Sequence, residues 1–216
     1  MQRGSRCRGA GGDNPAALTV RLGIFGGTFD PPHNGHLLAA SDAIEALELD
    51  TLWFVPHASQ PLKGPGHGSP RQRLEMVRLL TAGDDRFPVD PLEVDRHRVS
   101  YTVDTLAEFA NRFPSATRFL LIGADVAGTF DQWREPQRIR DLAEVVVLQR
   151  ATDPGDGTAA SAHNAPRGLE GARWLKTRRV DVSSTEIRDR VHGGKSIRGF
   201  VPDTVAAYIA AARLYQ

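Results

Sequence analysis

Cysteine is nearly absent. The chain of 216 residues has one, Cys7, so no internal disulfide can form, which fits a reducing compartment such as the cytoplasm. Long apolar runs are also absent. No stretch approaches the roughly 20 residues that span a bilayer, and no membrane partner is expected. Net charge is almost nil: 27 Lys plus Arg against 26 Asp plus Glu leave +1. That argues against a nucleic-acid partner held by bulk charge and against an acidic disordered chain. Lysine is scarce, with only Lys63, Lys176 and Lys195, and arginine supplies the remaining bases. Arginine suits phosphate and carboxylate, but a GC-rich genome gives the same bias. The first residues carry arginines without an apolar segment, so they are no secretory signal. Residues 1–19 are expected to form a disordered leader and 20–216 a single domain.

Strand-like and helix-like segments alternate. Val20 to Phe25 and Thr51 to Pro56 read as buried strands, as do Arg118 to Ile122 and Glu144 to Leu148. Phe87 to Val94 reads as extended, weakened by prolines, and Arg179 to Val182 as a last short strand. Helical spacing marks His36 to Leu47, Tyr101 to Phe113, Arg138 to Leu142, Thr185 to Val191 and Asp203 to Arg213. Ser69-Pro70 opens another helix as N-cap and first helical position, with Gly83 beyond its end. The pattern predicts an α/β fold with a doubly wound, mostly parallel sheet. Residues 153–168, rich in Gly, Ala and Asp, read as a flexible loop.

In such sheets ligands bind beyond the carboxyl ends of the strands. The first strand is followed by GIFGGTFDPPHNGH, Gly23 to His36. Gly26-Gly27 permits a tight turn and lets backbone N–H groups approach an anion, and a helix start near Asn34 adds its positive end. His33 and His36 lie one helical turn apart around Gly35, which leaves room for a ligand. The segment is no dinucleotide fingerprint, because G-x-G-x-x-G is missing and the second strand ends without an acid. It is a poor zinc site, since the histidines lack the i, i+4 spacing and no cysteine cluster helps. Phosphate handling by two imidazoles and backbone amides, or a turn with incidental histidines, remain.

Near the end stands VSSTEIRDR, Val182 to Arg190. Ser184 and Thr185 are placed to cap a helix, with Arg188 a turn further in. An ordinary capped helix with a solvated arginine would look the same. Gly194-Lys195-Ser196 mimics the end of a P-loop, but Asp189 stands where its first glycine belongs. Trp133 fits either a stacking face for a ring or core packing.

Together these motifs resemble a known family. GGTFDPPHNGH is similar to the G-x-F-x-P-x-H-x-G-H signature of the nucleotidyltransferase superfamily, and VSSTEIR to its I-S-S-T-x-I-R motif. SYTVDTL (Ser100 to Leu106), IGADV (Ile122 to Val126), Trp133 and LQR (Leu148 to Arg150) complete a resemblance to bacterial nicotinate-nucleotide adenylyltransferases over about residues 20 to 215. The resemblance implies a Rossmann-like fold and adenylyl transfer from ATP to nicotinate mononucleotide. Gly26, Gly27, Thr28, Phe29, Gly35, Gly123 and Asp125 would line the nucleotide. His33 and His36 would bind the ATP phosphates, and Ser184, Thr185 and Arg188 the triphosphate. Thr102, Trp133, the Arg134 backbone and Lys63 would meet nicotinate mononucleotide, although the Lys63 loop, HASQPLKG, departs from the PPH-K-P type. Mg²⁺ would ride on the phosphates, without protein ligands. A homo-oligomer is compatible with all of this. Within the superfamily, nicotinamide-mononucleotide and phosphopantetheine adenylyltransferases are the alternatives, and outside it a nucleotide-binding protein without turnover.

Overall fold

The computed structural model describes residues 19–58, 66–96, 99, 101–150 and 166–216. Residues 1–18 of the leader expected at 1–19, Lys63, Ser100 and most of the loop at 153–168 lie outside the described residues. The elements run β1 (Arg21–Gly27), α1 (Asn34–Leu47), β2 (Thr51–Pro56), α2 (Pro70–Thr81), α3 (Leu92–Asp95), α4 (Thr102–Arg112) and β3 (Thr117–Gly123). There follow α5 (Ala124–Ala127), a 3₁₀ turn (Phe130–Gln132), α6 (Pro136–Leu142), β4 (Glu144–Arg150), β5 (Arg173–Thr177), α7 (Ser184–His192) and α8 (Asp203–Ala211).

The five strands form one parallel sheet in the order β2-β1-β3-β4-β5. After β1 the chain moves to one side for β2, then returns across β1 to place β3 on the other. The topological switch point therefore lies between the carboxyl ends of β1 and β3, where such sheets open a crevice.

Side chains alternate across the sheet, as a pleat requires. Phe25, Phe54, Phe119, Leu121 and Val146 face one layer, packed with Leu47 of α1, Met76 of α2, Ile187 of α7 and Val205 of α8. Their neighbours Ile24, Val55, Leu120, Ile122 and Val147 face the other, with Leu106 and Phe109 of α4 and Ile139 of α6. Strands covered on both faces read as continuous apolar runs, which is why β1 to β4 are so plain in the sequence. The α2 start is as expected: Ser69 Oγ accepts from Gln72 N, and Gln72 Oε1 accepts from Ser69 N.

Two expectations fail. Arg179 to Val182 forms no strand; the fifth strand is Arg173–Thr177. Its register pairs Thr177 with Arg150, the last residue of β4. RWLKT is an edge strand with mixed exposure and needs no apolar run. Phe87 to Val94 is not extended throughout either. Val89 makes an isolated bridge to Phe54, and then Asp90 Oδ1 accepts from Leu92 N at 2.9 Å and opens α3.

Candidate active site

A cavity of about 1010 Å³ opens beyond the carboxyl ends of β1, β3, β4 and β5. Its floor is the segment from Gly26 to His36. Gly26 and Gly27, which permit a turn, do not form one: they remain in β1, paired with Val55 and Pro56. The turn comes after them, where Phe29 takes a left-handed φ of 51°. That conformation costs a residue with a Cβ about 1–3 kcal/mol. Burial of its ring against Phe25 and Phe54, at 5.7 and 5.6 Å, holds it in place.

His33 is the residue before α1, and His36 is in its first turn. The two rings stack with centroids 3.8 Å apart and planes 32° from parallel. His36 Nδ1 accepts from the His33 backbone N–H at 3.2 Å, which leaves the proton of a neutral ring on Nε2. His33 is 5% exposed, and its buried Nδ1 has no hydrogen-bond partner among the described residues. Burial, helped by the positive charge of Arg150, lowers the His33 pKa to about 4. Burial, then His33 and then Arg150, holds His36 well below its ordinary value. Both rings are therefore neutral near pH 7.

Gly35 serves the histidines more directly than it serves a ligand. A Cβ there would lie 3.0 Å from His33 Nδ1 and 3.1 Å from its Cε1, so glycine makes the space for the imidazole. The start of α1 is also less open than expected. Asn34 N donates to Phe200 O at 2.9 Å, and Asn34 Nδ2 to Gly199 O at 2.9 Å.

The second motif docks on the first. Ser183, not Ser184 or Thr185, caps α7: its Oγ accepts from Glu186 N at 3.1 Å. Ser184 Oγ instead donates to Pro31 O at 2.8 Å. Arg188 donates from Nη1 to Asp30 O at 2.8 Å and from Nη2 to Thr185 Oγ1 at 3.2 Å. Two of its N–H groups are thereby used and the guanidinium has others to offer.

Thr28, Gly123, Asp125, Thr102 and Trp133 also line the cavity. Trp133 is half-buried, its ring 5.3 Å from that of Phe130 and its Nε1 donating to Thr129 Oγ1 at 3.4 Å. The Arg134 side chain is not part of the lining. It lies over the Tyr101 ring at 4.8 Å, with Nε 3.4 Å from Glu135 Oε1. Lys63 is outside the described residues. The expected residues other than these two thus meet at one cavity.

Arg150 and Glu93 are among the lining residues without a role in the sequence reading. Arg150 ends β4, is exposed, and is the charge that both histidines feel. Its place at a strand's carboxyl end is the available signal. Glu93 of α3 is buried, accepts from Thr105 Oγ1 at 2.7 Å through Oε1, and has no partner for Oε2 among the described residues. Its sequence carries no such signal.

Comparison with known proteins agrees with this geometry. The model of the cytidylyltransferase-like family matches residues 24–190. A probable nicotinate-nucleotide adenylyltransferase of Gemmatimonas aurantiaca is 48% identical, over 91% of this chain and 93% of that protein. One from Thermus thermophilus is 42% identical, over 91% of this chain and 100% of that protein. Among solved structures, Plasmodium falciparum nicotinic acid mononucleotide adenylyltransferase complexed with NaAD has a TM-score of 0.69 at 17% identity. It covers 91% of this chain and 97% of that one, and shares the fold.

Proposed function

The chain belongs to the cytidylyltransferase-like family and, within it, to the nicotinate-nucleotide adenylyltransferases, and on that premise we propose how its own residues carry the reaction. The enzyme transfers the adenylyl group of ATP to nicotinate mononucleotide, giving deamido-NAD and pyrophosphate. The observation that carries the residue assignment is the stacked, neutral His33–His36 pair joined to Arg188 through Asp30 at the sheet's switch point.

A 5′-phosphate oxygen of nicotinate mononucleotide bonds to the ATP α-phosphorus, and the bond from that phosphorus to the β-bridging oxygen breaks. Pyrophosphate leaves with the electron pair. The nucleophile is already anionic, so no general base is needed. Rate comes from alignment and from stabilising charge on the phosphoryl oxygens. His36 donates from Nε2 to the α-phosphate, and His33 holds its neighbour. Arg188, with the start of α7 at Ser184 and Thr185, holds the triphosphate tail. Gly26, Gly27, Thr28 and Phe29 border the nucleotide, and Gly123 and Asp125 the adenosine. Thr102 and the backbone at Arg134 receive the pyridine carboxylate, and Trp133 offers its face to the cationic ring. Lys63 remains a further candidate for nicotinate mononucleotide.

Among the described residues no three His, Cys, Asp or Glu side chains gather as a metal site. In this reading ATP enters as its magnesium complex, the ion held by phosphate oxygens and water. No helix among the described residues is long and apolar enough to cross a membrane. The reading places the enzyme in the cytoplasm, where ATP is at hand.

The test is pyrophosphate release with ATP plus nicotinate mononucleotide, nicotinamide mononucleotide or phosphopantetheine. Fastest release with nicotinate mononucleotide is expected, and its loss in His36→Ala with an unchanged melting curve. Faster release with either alternative would overturn the substrate, and near-normal turnover of His36→Ala the assigned role.

A further inference from the structure

Asp30 lies between Phe29 and the prolines that precede His33, and it is 4% exposed. Its carboxylate is surrounded by donors from distant parts of the chain. Oδ2 accepts from His67 N at 2.6 Å, and Oδ1 from Gly68 N at 3.0 Å and from Tyr215 Oη at 2.7 Å. Glycine at 66 and 68 admits this approach: a Cβ at either position would lie 3.0 Å from a carboxylate oxygen. Beside it the buried Arg73 donates to Thr28 O at 2.6 Å, Ala58 O at 3.0 Å and Gly68 O at 3.1 Å. Asp30 is thus the point where the histidine loop meets the segment after β2, the α7 arginine and the chain's C-terminal segment.

Tyr215 reaches this point at a cost. It takes a left-handed φ of 63°, two residues after Arg213 at 50°. Leu214 between them is buried in the core layer of α8, which anchors the tail. Burial and the adjacent carboxylate raise the phenol pKa well above its ordinary value, so the group remains a donor. The Tyr215 ring packs against the core layer of α8, while its hydroxyl goes to a buried carboxylate. That bond bears on the placement of Asp30.

We infer that Tyr215 is a positioning residue for adenylyl transfer, acting through Asp30 to hold the loop that carries His33 and His36. Asp30 O receives Arg188 and Pro31 O receives Ser184, so a shift of Asp30 moves both groups that face the triphosphate. Among the described residues, none of these hydrogen bonds reaches Trp133 or Thr102. Loosening it therefore acts on the ATP side and on the chemical step, and leaves nicotinate-mononucleotide binding alone. This inference rests on the assignment of His33, His36 and Arg188 to the ATP phosphates.

The experiment compares Tyr215→Phe, Asp30→Asn and the double variant of the full chain in steady-state pyrophosphate release. Tyr215→Phe is expected to lower kcat about tenfold and raise the KM for ATP, with the KM for nicotinate mononucleotide within about twofold. Asp30→Asn turns an acceptor into a donor facing a backbone N–H, and a loss of about a hundredfold is expected. The double variant should be no worse than Asp30→Asn, because Tyr215 works through that residue. Additive losses would overturn the inference, as would a lower Tm with unchanged kcat in Tyr215→Phe. If Asp30→Asn does not fold, the kcat and KM pattern of Tyr215→Phe decides. His36→Ala in the same assay separates the two levels. Retained turnover there defeats the site assignment, whereas normal kcat in Tyr215→Phe beside an inactive His36→Ala defeats only the positioning role.

Discussion

Arg188 Nη1 donates to the backbone carbonyl of Asp30 at 2.8 Å, across 158 residues of chain. With the Ser184 bond to Pro31 O, it joins the two motifs and sets the guanidinium at the mouth of the histidine loop. A lysine keeps the charge but has no planar fork to hold Asp30 O and Thr185 Oγ1 while facing a phosphate. Arg188→Lys is expected to lower kcat/KM for ATP by roughly 10- to 100-fold, the range for losing a charge-assisted hydrogen bond. Unchanged kcat/KM would separate Arg188 from the triphosphate.

His33 makes stability depend on pH with a definite sign. Its pKa is lowered from 6.5 to about 4, so the unfolded chain binds the proton first as pH falls. Stability is full above about pH 6.5 and declines through the window down to about 4. At pH 4.5 the loss from this group is on the order of 2 to 3 kcal/mol. Urea unfolding of the wild type and His33→Asn at pH 7 and 4.5 checks it, with the smaller pH dependence expected in the variant. Parallel changes would show that His33 is not the group responsible.

Gly35→Ala separates helix stability from catalysis. Alanine favours a helix by about 1 kcal/mol over glycine, but its Cβ would lie 3.0 Å from His33 Nδ1. The ring must then give way by a few tenths of an ångström. Turnover is expected to fall about tenfold, with a melting temperature held within a few degrees. A fully active Gly35→Ala would show that His33 has room to move without consequence.

Trp133 packs on Phe130 and lines the cavity. Trp133→Ala is expected to raise the KM for nicotinate mononucleotide roughly 5- to 30-fold, and the KM for ATP little, since a stacked cation contributes about 1–2 kcal/mol. Equal effects on the two substrates would mark the indole as a packing residue.

Much of the fold is legible in the order of residues. The apolar runs of β1 to β4 and the Ser69-Pro70 helix start are local signals, set by burial on both faces and by free N–H groups at a helix end. The edge strand Arg173–Thr177 is not legible, because a strand exposed along one side needs no apolar run. Its place is decided by β4, the strand it pairs with.

The same division holds at the site. The residue types and their order are written in the chain: two histidines a turn apart around a glycine, and serines and an arginine far downstream. What each one does is set by tertiary contacts. These place Gly26 and Gly27 inside a strand, move the turn to Phe29, and make Ser183 the cap while Ser184 holds Pro31. They bring Arg150 close enough to depress both histidines and seat Tyr215 on Asp30. The difference is one of range. Propensity and capping act over a few residues. Hydrogen-bond partners and desolvation depend on which distant segments the sheet order brings together.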